Sequence, residues 1–301
     1  MFKHILVPLD GSLMAESAVP AAAFLAEKLG ARVTLMHVIE KNAPNEVHGQ
    51  PHLKNVMDAN KYLNVLSQRD FPEGVQVDCH VHEAEVKDVA KSIVAHADEL
   101  KHDLVIMCSH GRGKALHLFM GSIAQKVIAM DSRPVLITHP DENGEPPAFA
   151  CRNILVPLDE NPDHAQALPF SKELAIACGA AIHLAMVIPS LTTLSGDMTV
   201  TGRLLPGTTS RMLELAYQDA EEYLQNMLNS LNEQGFTASA HVLRGDPAKM
   251  IVKAASRASI DLILLATHGK TGMGAFWAGS VAHKICSRSK VPLLLIPIAK
   301  I

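Results

Sequence analysis

Short apolar runs and longer stretches of helical period alternate along the chain. The runs fall at 4–8, 32–39, 75–81, 104–108 and 134–138, and again at 153–157, 181–188, 237–242, 261–266 and 292–297; most are rich in Ile, Leu and Val. Runs this short predict strands, and the near-continuous ones predict strands covered on both faces. Between the first two strands, Ala18, Ala22, Leu25 and Leu29 share one helical face, with Ser12 placed as an N-cap and Gly30 placed to end the helix. The same plan runs from Asn161 to Gly179. Strand–helix alternation of this kind is the pattern of a parallel sheet built from βα units, five strands to each half.

The two halves are copies. His4-Ile5-Leu6-Val7-Pro8-Leu9-Asp10 returns as Asn153-Ile154-Leu155-Val156-Pro157-Leu158-Asp159, and Ser109-His110-Gly111 with Gly121-Ser122 returns as Thr267-His268-Gly269 with Gly279-Ser280. A repeat of about 150 residues is the size of a domain and far longer than a solenoid unit, so each copy is expected to have its own core. The expected organisation is a first domain over 1–139, a linker over 140–150 that is polar and rich in Pro and Gly, and a second domain over 151–301. In doubly wound α/β folds ligands sit at the carboxyl ends of strands where the strand order reverses. That rule directs attention to the ends of the first and fourth strands of each copy.

Asp10 and Asp159 end the two first strands, where a carboxylate can accept hydrogen bonds from an amine or from paired hydroxyls. The plainer reading of Asp10-Gly11-Ser12 is a turn with Ser12 as helix cap. After each fourth strand comes a glycine-rich loop, then Gly121-Ser122 or Gly279-Ser280 before a helix. Glycines let backbone N–H groups approach an anion closely, and a helix N-terminus favours a phosphate. No GxxxxGK[ST] occurs and no GxGxxG follows the first strand, so this cradle is neither a Walker loop nor a dinucleotide fingerprint.

Charge and composition narrow the partners. The 27 Lys and Arg against 31 Asp and Glu give a net charge of −4, which offers no electrostatic case for nucleic acid or for an anionic membrane. Five scattered cysteines without a CxxC pair encode neither a disulfide framework nor a zinc ribbon, and fit a reducing compartment. No basic and apolar leader opens the chain and no apolar run approaches about 18 residues. A soluble, cytoplasmic protein is expected.

Two groups of residues raise the question of chemistry. His110 and His268 stand beside the cradle, yet hydrolysis also needs an oriented water and usually a metal held by carboxylates, and no paired acids recur there in both copies. No catalytic residue is assigned, and slow incidental turnover is the most that is expected. Cys79-His80-Val81-His82 would place His80 and His82 on one face of a strand. Two ligands do not make a zinc site; a third would have to come from His96, His102 or a second molecule. The expected reading is an ordinary strand, with no metal ligand assigned.

Taken together, these residues resemble the universal stress protein family in its tandem two-domain form. The opening strand with Pro8-Leu9-Asp10-Gly11-Ser12 is similar to the family's PxDGS, and the family's G-x2-G-x9-G-[ST] motif falls on Cys108, Gly111, Gly121 and Ser122 with its spacing intact. The resemblance implies two Rossmann-like, adenine-nucleotide α-hydrolase-like domains, each a five-stranded parallel sheet of order 3-2-1-4-5. It implies binding of ATP, with magnesium as accompanying ion, by Asp10, Val38, Gly111, Gly121 and Ser122 in the first copy and by Asp159, Val187, Gly269, Gly279 and Ser280 in the second. It further implies a stress-response regulator or scaffold, and an intramolecular pseudo-dimer in which Val135-Leu136-Ile137 pairs antiparallel with Leu293-Leu294-Leu295-Ile296. A homodimer and a protein partner of unknown identity are also compatible with it.

The sequence departs from the motif at defined points. Cys108 and Ala266 replace its first glycine, Asp159-Glu160-Asn161 replaces Asp-Gly-Ser, and Lys87-Asp88-Val89 stands where the second copy has Gly245-Asp246-Pro247. The alternative reading drawn from these departures is a protein-interaction module whose pockets no longer bind nucleotide.

Overall fold

The computed structural model describes residues 1–47, 49–109, 120–141, 143–159, 161–194, 196–267 and 280–298. They divide into two compact units, Met1–Ala150 with Thr267–Ile301, and Cys151–Ala266. In the first unit, β1 (His4–Pro8) lies between β2 (Arg32–Glu40) and β4 (Leu104–Cys108), while β3 (Val77–Val86) pairs with the far side of β2 and β5 (Val135–Thr138) with the far side of β4. All four pairings are parallel. β4 is buried along its whole length, whereas no residue of the outer strand β3 is fully buried: Cys79–His82 are half-buried and Glu83–Glu85 exposed.

Five helices belong to this sheet: α1 (Leu13–Glu16), α2 (Val19–Leu29), α3 (Val56–Arg69), α4 (Val89–Glu99) and α5 (Ser122–Met130). Ser12 caps α1, its Oγ accepting from the Ala15 N–H at 3.2 Å, and Gly30 ends α2 in the left-handed conformation at φ +60°. The single helix expected between those caps is broken at Ser17–Ala18. Pro20 supplies the reason: it has no N–H to return to the Glu16 carbonyl and its ring occupies the space that carbonyl would need, so a new helix starts with Pro20 in its first turn.

In the second unit β6 (Asn153–Leu158) pairs in parallel with β7 (Ala181–Ile188) and β9 (Leu262–Thr267), and β7 with β8 (Ala238–Arg244). A 3₁₀ turn over Pro162–Gln166 leads into α6 (Ala167–Cys178), which Gly179 closes at φ +66°. Two helices follow β7, α7 (Asp197–Leu204) and α8 (Pro206–Glu233), parted at Leu205. Pro206 sits in the first turn of α8, where a missing N–H costs nothing, and the buried Thr209 hydroxyl donates to the Leu205 carbonyl at 2.9 Å. α9 (Pro247–Arg257) completes the unit's helices among the described residues, capped by Asp246.

The chain's last elements, α10 (Val281–Cys286) and β10 (Leu293–Pro297), lie in the first unit. β10 runs antiparallel to β5, with Leu293 opposite Ile137, Leu294 opposite Leu136 and Leu295 opposite Val135. All six side chains are buried. The expected antiparallel partnership of these strands is therefore present, and it covers the open edge of β5 with backbone hydrogen bonds. No helix among the described residues is long and apolar enough to cross a membrane.

Candidate functional site

The strand order reverses between β1 and β4, and at their carboxyl ends lies a cleft of ≈ 750 Å³ open to solvent. Asp10, Val38, Cys108 and Gly121 line it together, with Met36 and Ile93 contributing apolar wall. Ser122, the first residue of α5, follows Gly121 and is exposed. Gly111 lies outside the described residues, as do His110, Glu160, His268, Gly269 and Gly279.

Asp10 is held by the turn that follows it. Its Oδ1 accepts from the Ser12 N–H at 3.0 Å and from the Ser12 hydroxyl at 2.6 Å. The second carboxylate oxygen takes part in neither bond. Gly11 is required between them: at φ +89° it adopts the left-handed region, and a Cβ there would stand 2.9 Å from the Leu53 side chain.

Across the cleft, Gly121 is the N-cap of α5 and supplies no side-chain acceptor. Its own N–H donates to the Ser109 carbonyl at 2.6 Å, which fixes the helix start against the end of β4. The first-turn N–H groups of Ser122, Ile123 and Ala124 thus begin a nine-residue helix with no side-chain cap, the arrangement that gives a helix N-terminus its partial positive charge. Ser109 in turn shares a buried 2.9 Å hydrogen bond with His139 Nδ1.

The cleft also contains polar residues that the sequence pattern did not reveal. His37, Glu40 and His52 line it. His37 is buried, with Nδ1 2.8 Å from the Leu9 carbonyl and Nε2 3.2 Å from the Leu53 carbonyl. Burial lowers its pKa, the two carbonyls opposing, so at neutral pH the ring is uncharged and its single N–H serves one carbonyl at a time. The ring ties the end of β1 to the strap between β2 and α3, which the Gln50 side chain also fastens by accepting from the Leu13 N–H at 2.7 Å. His37 immediately precedes Val38; its position next to a motif residue at a strand's end was the available signal.

The second copy is arranged differently. Asp159 and Val187 lie in the second unit, whereas Ser280 belongs to the segment grouped with the first. Both Asp159 oxygens are 2.7 Å from His164 Nδ1, and this hydrogen bond raises the His164 pKa. Ser280 caps the six-residue α10 itself, its Oγ accepting from the His283 N–H at 3.1 Å. The uncapped helix start of the first copy therefore has a self-capped counterpart in the second.

The model of the universal stress protein family matches residues 1–139 and 150–297. The chain belongs to the universal stress protein family. It is similar over nearly its full length to a universal stress protein of Mycolicibacterium smegmatis, 24% identical over 305 residues that cover 97% of this chain and 96% of that protein. Stress response protein NhaX of Bacillus subtilis is 27% identical over 164 residues, 49% of this chain and 99% of its own. Among solved structures, a universal stress protein from Archaeoglobus fulgidus superposes with a TM-score of 0.66 at 18% identity, covering 99% of this chain and 97% of that one, a likeness of fold.

In this universal stress protein the first-copy cleft combines three recognition elements. A carboxylate can accept from ribose hydroxyls or an amine, apolar walls can hold a flat base, and a helix N-terminus can take phosphate oxygens. Cys108 stands among them, 7% exposed and beside Cys286, whose thiol is pushed up to about 12 by burial and by Cys108.

Proposed function

We propose that this universal stress protein binds an adenine nucleotide, ATP with its magnesium, in the cleft of the first copy, and acts in the cytoplasm as a stress-response regulator or scaffold rather than as a catalyst. The observation that carries the reading is the pairing of the Asp10 carboxylate with the uncapped start of α5 in one cleft. The carboxylate suits the ribose end of the ligand and the helix start suits the phosphate end. Cys108 favours a second reading, a protein-interaction module, because its side chain occupies cleft wall where the family motif has glycine.

Calorimetric titration with ATP and magnesium separates the two. Saturable binding is expected in the native chain. Gly121→Asp is expected to weaken it by up to about 30-fold, because the new carboxylate takes over N–H groups worth up to ~2 kcal/mol to an anion. Gly121 has φ −57°, which any residue adopts, and Asp is a preferred N-cap, so thermal stability should hold or rise while binding is lost. Absence of binding in the native chain, with binding created by Cys108→Gly, would establish the interaction-module reading instead.

A further inference from the structure

Away from the cleft, β3 and α4 bring three imidazoles together at the side of the first unit. His80 and His82 are alternate residues of β3, and so share a face. His96, on α4, has its ring centroid 4.9 Å from that of His80 and 4.8 Å from that of His82. The crossover from β3 into α4 brings His96 to the two strand histidines.

The protonation pattern suits coordination. His96 Nδ1 lies 2.9 Å from the Ser92 carbonyl, which can only accept; the ring proton is therefore on Nδ1 and Nε2 carries the lone pair. This carbonyl anchor is the outer support that ligating histidines commonly have. That Nε2 accepts from His82 Nδ1 at 3.3 Å, and a metal would take the place of the bridging proton. Two nitrogens bound to one tetrahedral zinc at 2.0–2.1 Å each are separated by about 3.3 Å. His80 Nε2 is buried with no hydrogen-bond partner, a state that costs about 1–3 kcal/mol unless something binds it.

We propose that His80, His82 and His96 bind one divalent transition-metal ion of the zinc class, with the fourth position open to water or to an exogenous ligand. No three donors among the described residues already surround a common point. His82 and His96 are spaced as ligands in the empty structure, and His80 completes the set by turning its ring toward them. Three imidazoles without a thiolate favour Zn²⁺, Cu²⁺ or Ni²⁺ over Mg²⁺ or Ca²⁺. The second copy has His241 on β8 but no histidine in α9, so the site occurs once per chain.

The test uses the full chain prepared without a histidine tag, titrated with Zn²⁺ by calorimetry and with Co²⁺ by visible absorption. One equivalent of Zn²⁺ should bind and raise the thermal midpoint, and Co²⁺ should give the intense bands of tetrahedral coordination. His82→Gln and His96→Gln should each weaken binding at least about tenfold, while His241→Gln leaves it unchanged. Thermal melts of the metal-free variants verify that they fold. Weak octahedral Co²⁺ spectra, or Zn²⁺ affinity unaltered in folded His82→Gln and His96→Gln, would overturn the proposal.

Discussion

Leu294→Asp is expected to abolish cooperative folding of the first unit. Leu294 is 1% exposed and faces Leu136, itself fully buried, across the antiparallel β5–β10 pair. Loss of a core leucine side chain alone costs roughly 2–5 kcal/mol. A carboxylate left there without a partner adds several kcal/mol more, or takes up a proton at a similar cost. Against a total stability of about 5–15 kcal/mol for an ordinary domain, the sum removes most or all of it. Leu294→Met, which conserves volume, should cost less than about 1.5 kcal/mol. Urea denaturation followed by circular dichroism measures both. A Leu294→Asp midpoint equal to that of the native chain would show that β10 does not lie in this core.

Acid should destabilise the protein below neutrality, and His102→Phe should remove a large part of that sensitivity. His102 is 3% exposed, neither ring nitrogen has a hydrogen-bond partner among the described residues, and its ring packs at a 37° tilt against His4 with centroids 3.8 Å apart. Burial first, then the charges of His4, Arg133 and Arg32, push its pKa down to about 3, opposed by the dipole of the His96 carbonyl. Because the folded pKa lies below the unfolded value of 6.5, the unfolded chain binds the extra proton. The folded state is at no disadvantage above pH 6.5 and loses stability as pH falls from 6.5 toward 3.

The slope is roughly 1.4 kcal/mol per pH unit from this one group, on the order of 2–3 kcal/mol by pH 4.5. His4 and His37, whose pKa values are also lowered by burial, act in the same direction, and His164, raised by Asp159, acts against them. A phenyl ring carries no proton and leaves no unsatisfied nitrogen, so the variant should match the native chain near pH 7.5 and exceed it at pH 4.5. Parallel stability–pH curves for the two proteins would contradict this.

The buried frame of the fold was readable from the chain because its strands begin and end abruptly. β4 and β7 occupy 104–108 and 181–188, the limits that the apolar runs give, since Asp103 and Ser109 flank one and Gly179 and Pro189 bound the other. β3 was misjudged at its far end. Apolar residues run out near 81, yet the strand continues to Val86, because an outer strand needs backbone partners more than buried side chains and an irregularity in β3 between His82 and Val86, opposite Val38 and Glu40 of β2, keeps the pairing going. Repetition exposed Asp10 and Gly121, and the family resemblance added Val38. His37, Glu40 and His52 were missed because a strap, whose course depends on tertiary packing, closes over the first strand's end. For the same reason His96 could only be one candidate among several until α4 was seen against β3.

The measurement that bears most directly on the first-copy cleft is amide hydrogen exchange of the native chain with and without saturating ATP and magnesium. The N–H groups of Ser122, Ile123 and Ala124 have no side-chain cap among the described residues, so a bound phosphate should slow their exchange markedly, together with the turn from Asp10 to Ser12. Protection of those two segments together would place the nucleotide between β1 and α5. Unchanged exchange at both, with ATP at millimolar concentration, would contradict nucleotide binding in this cleft.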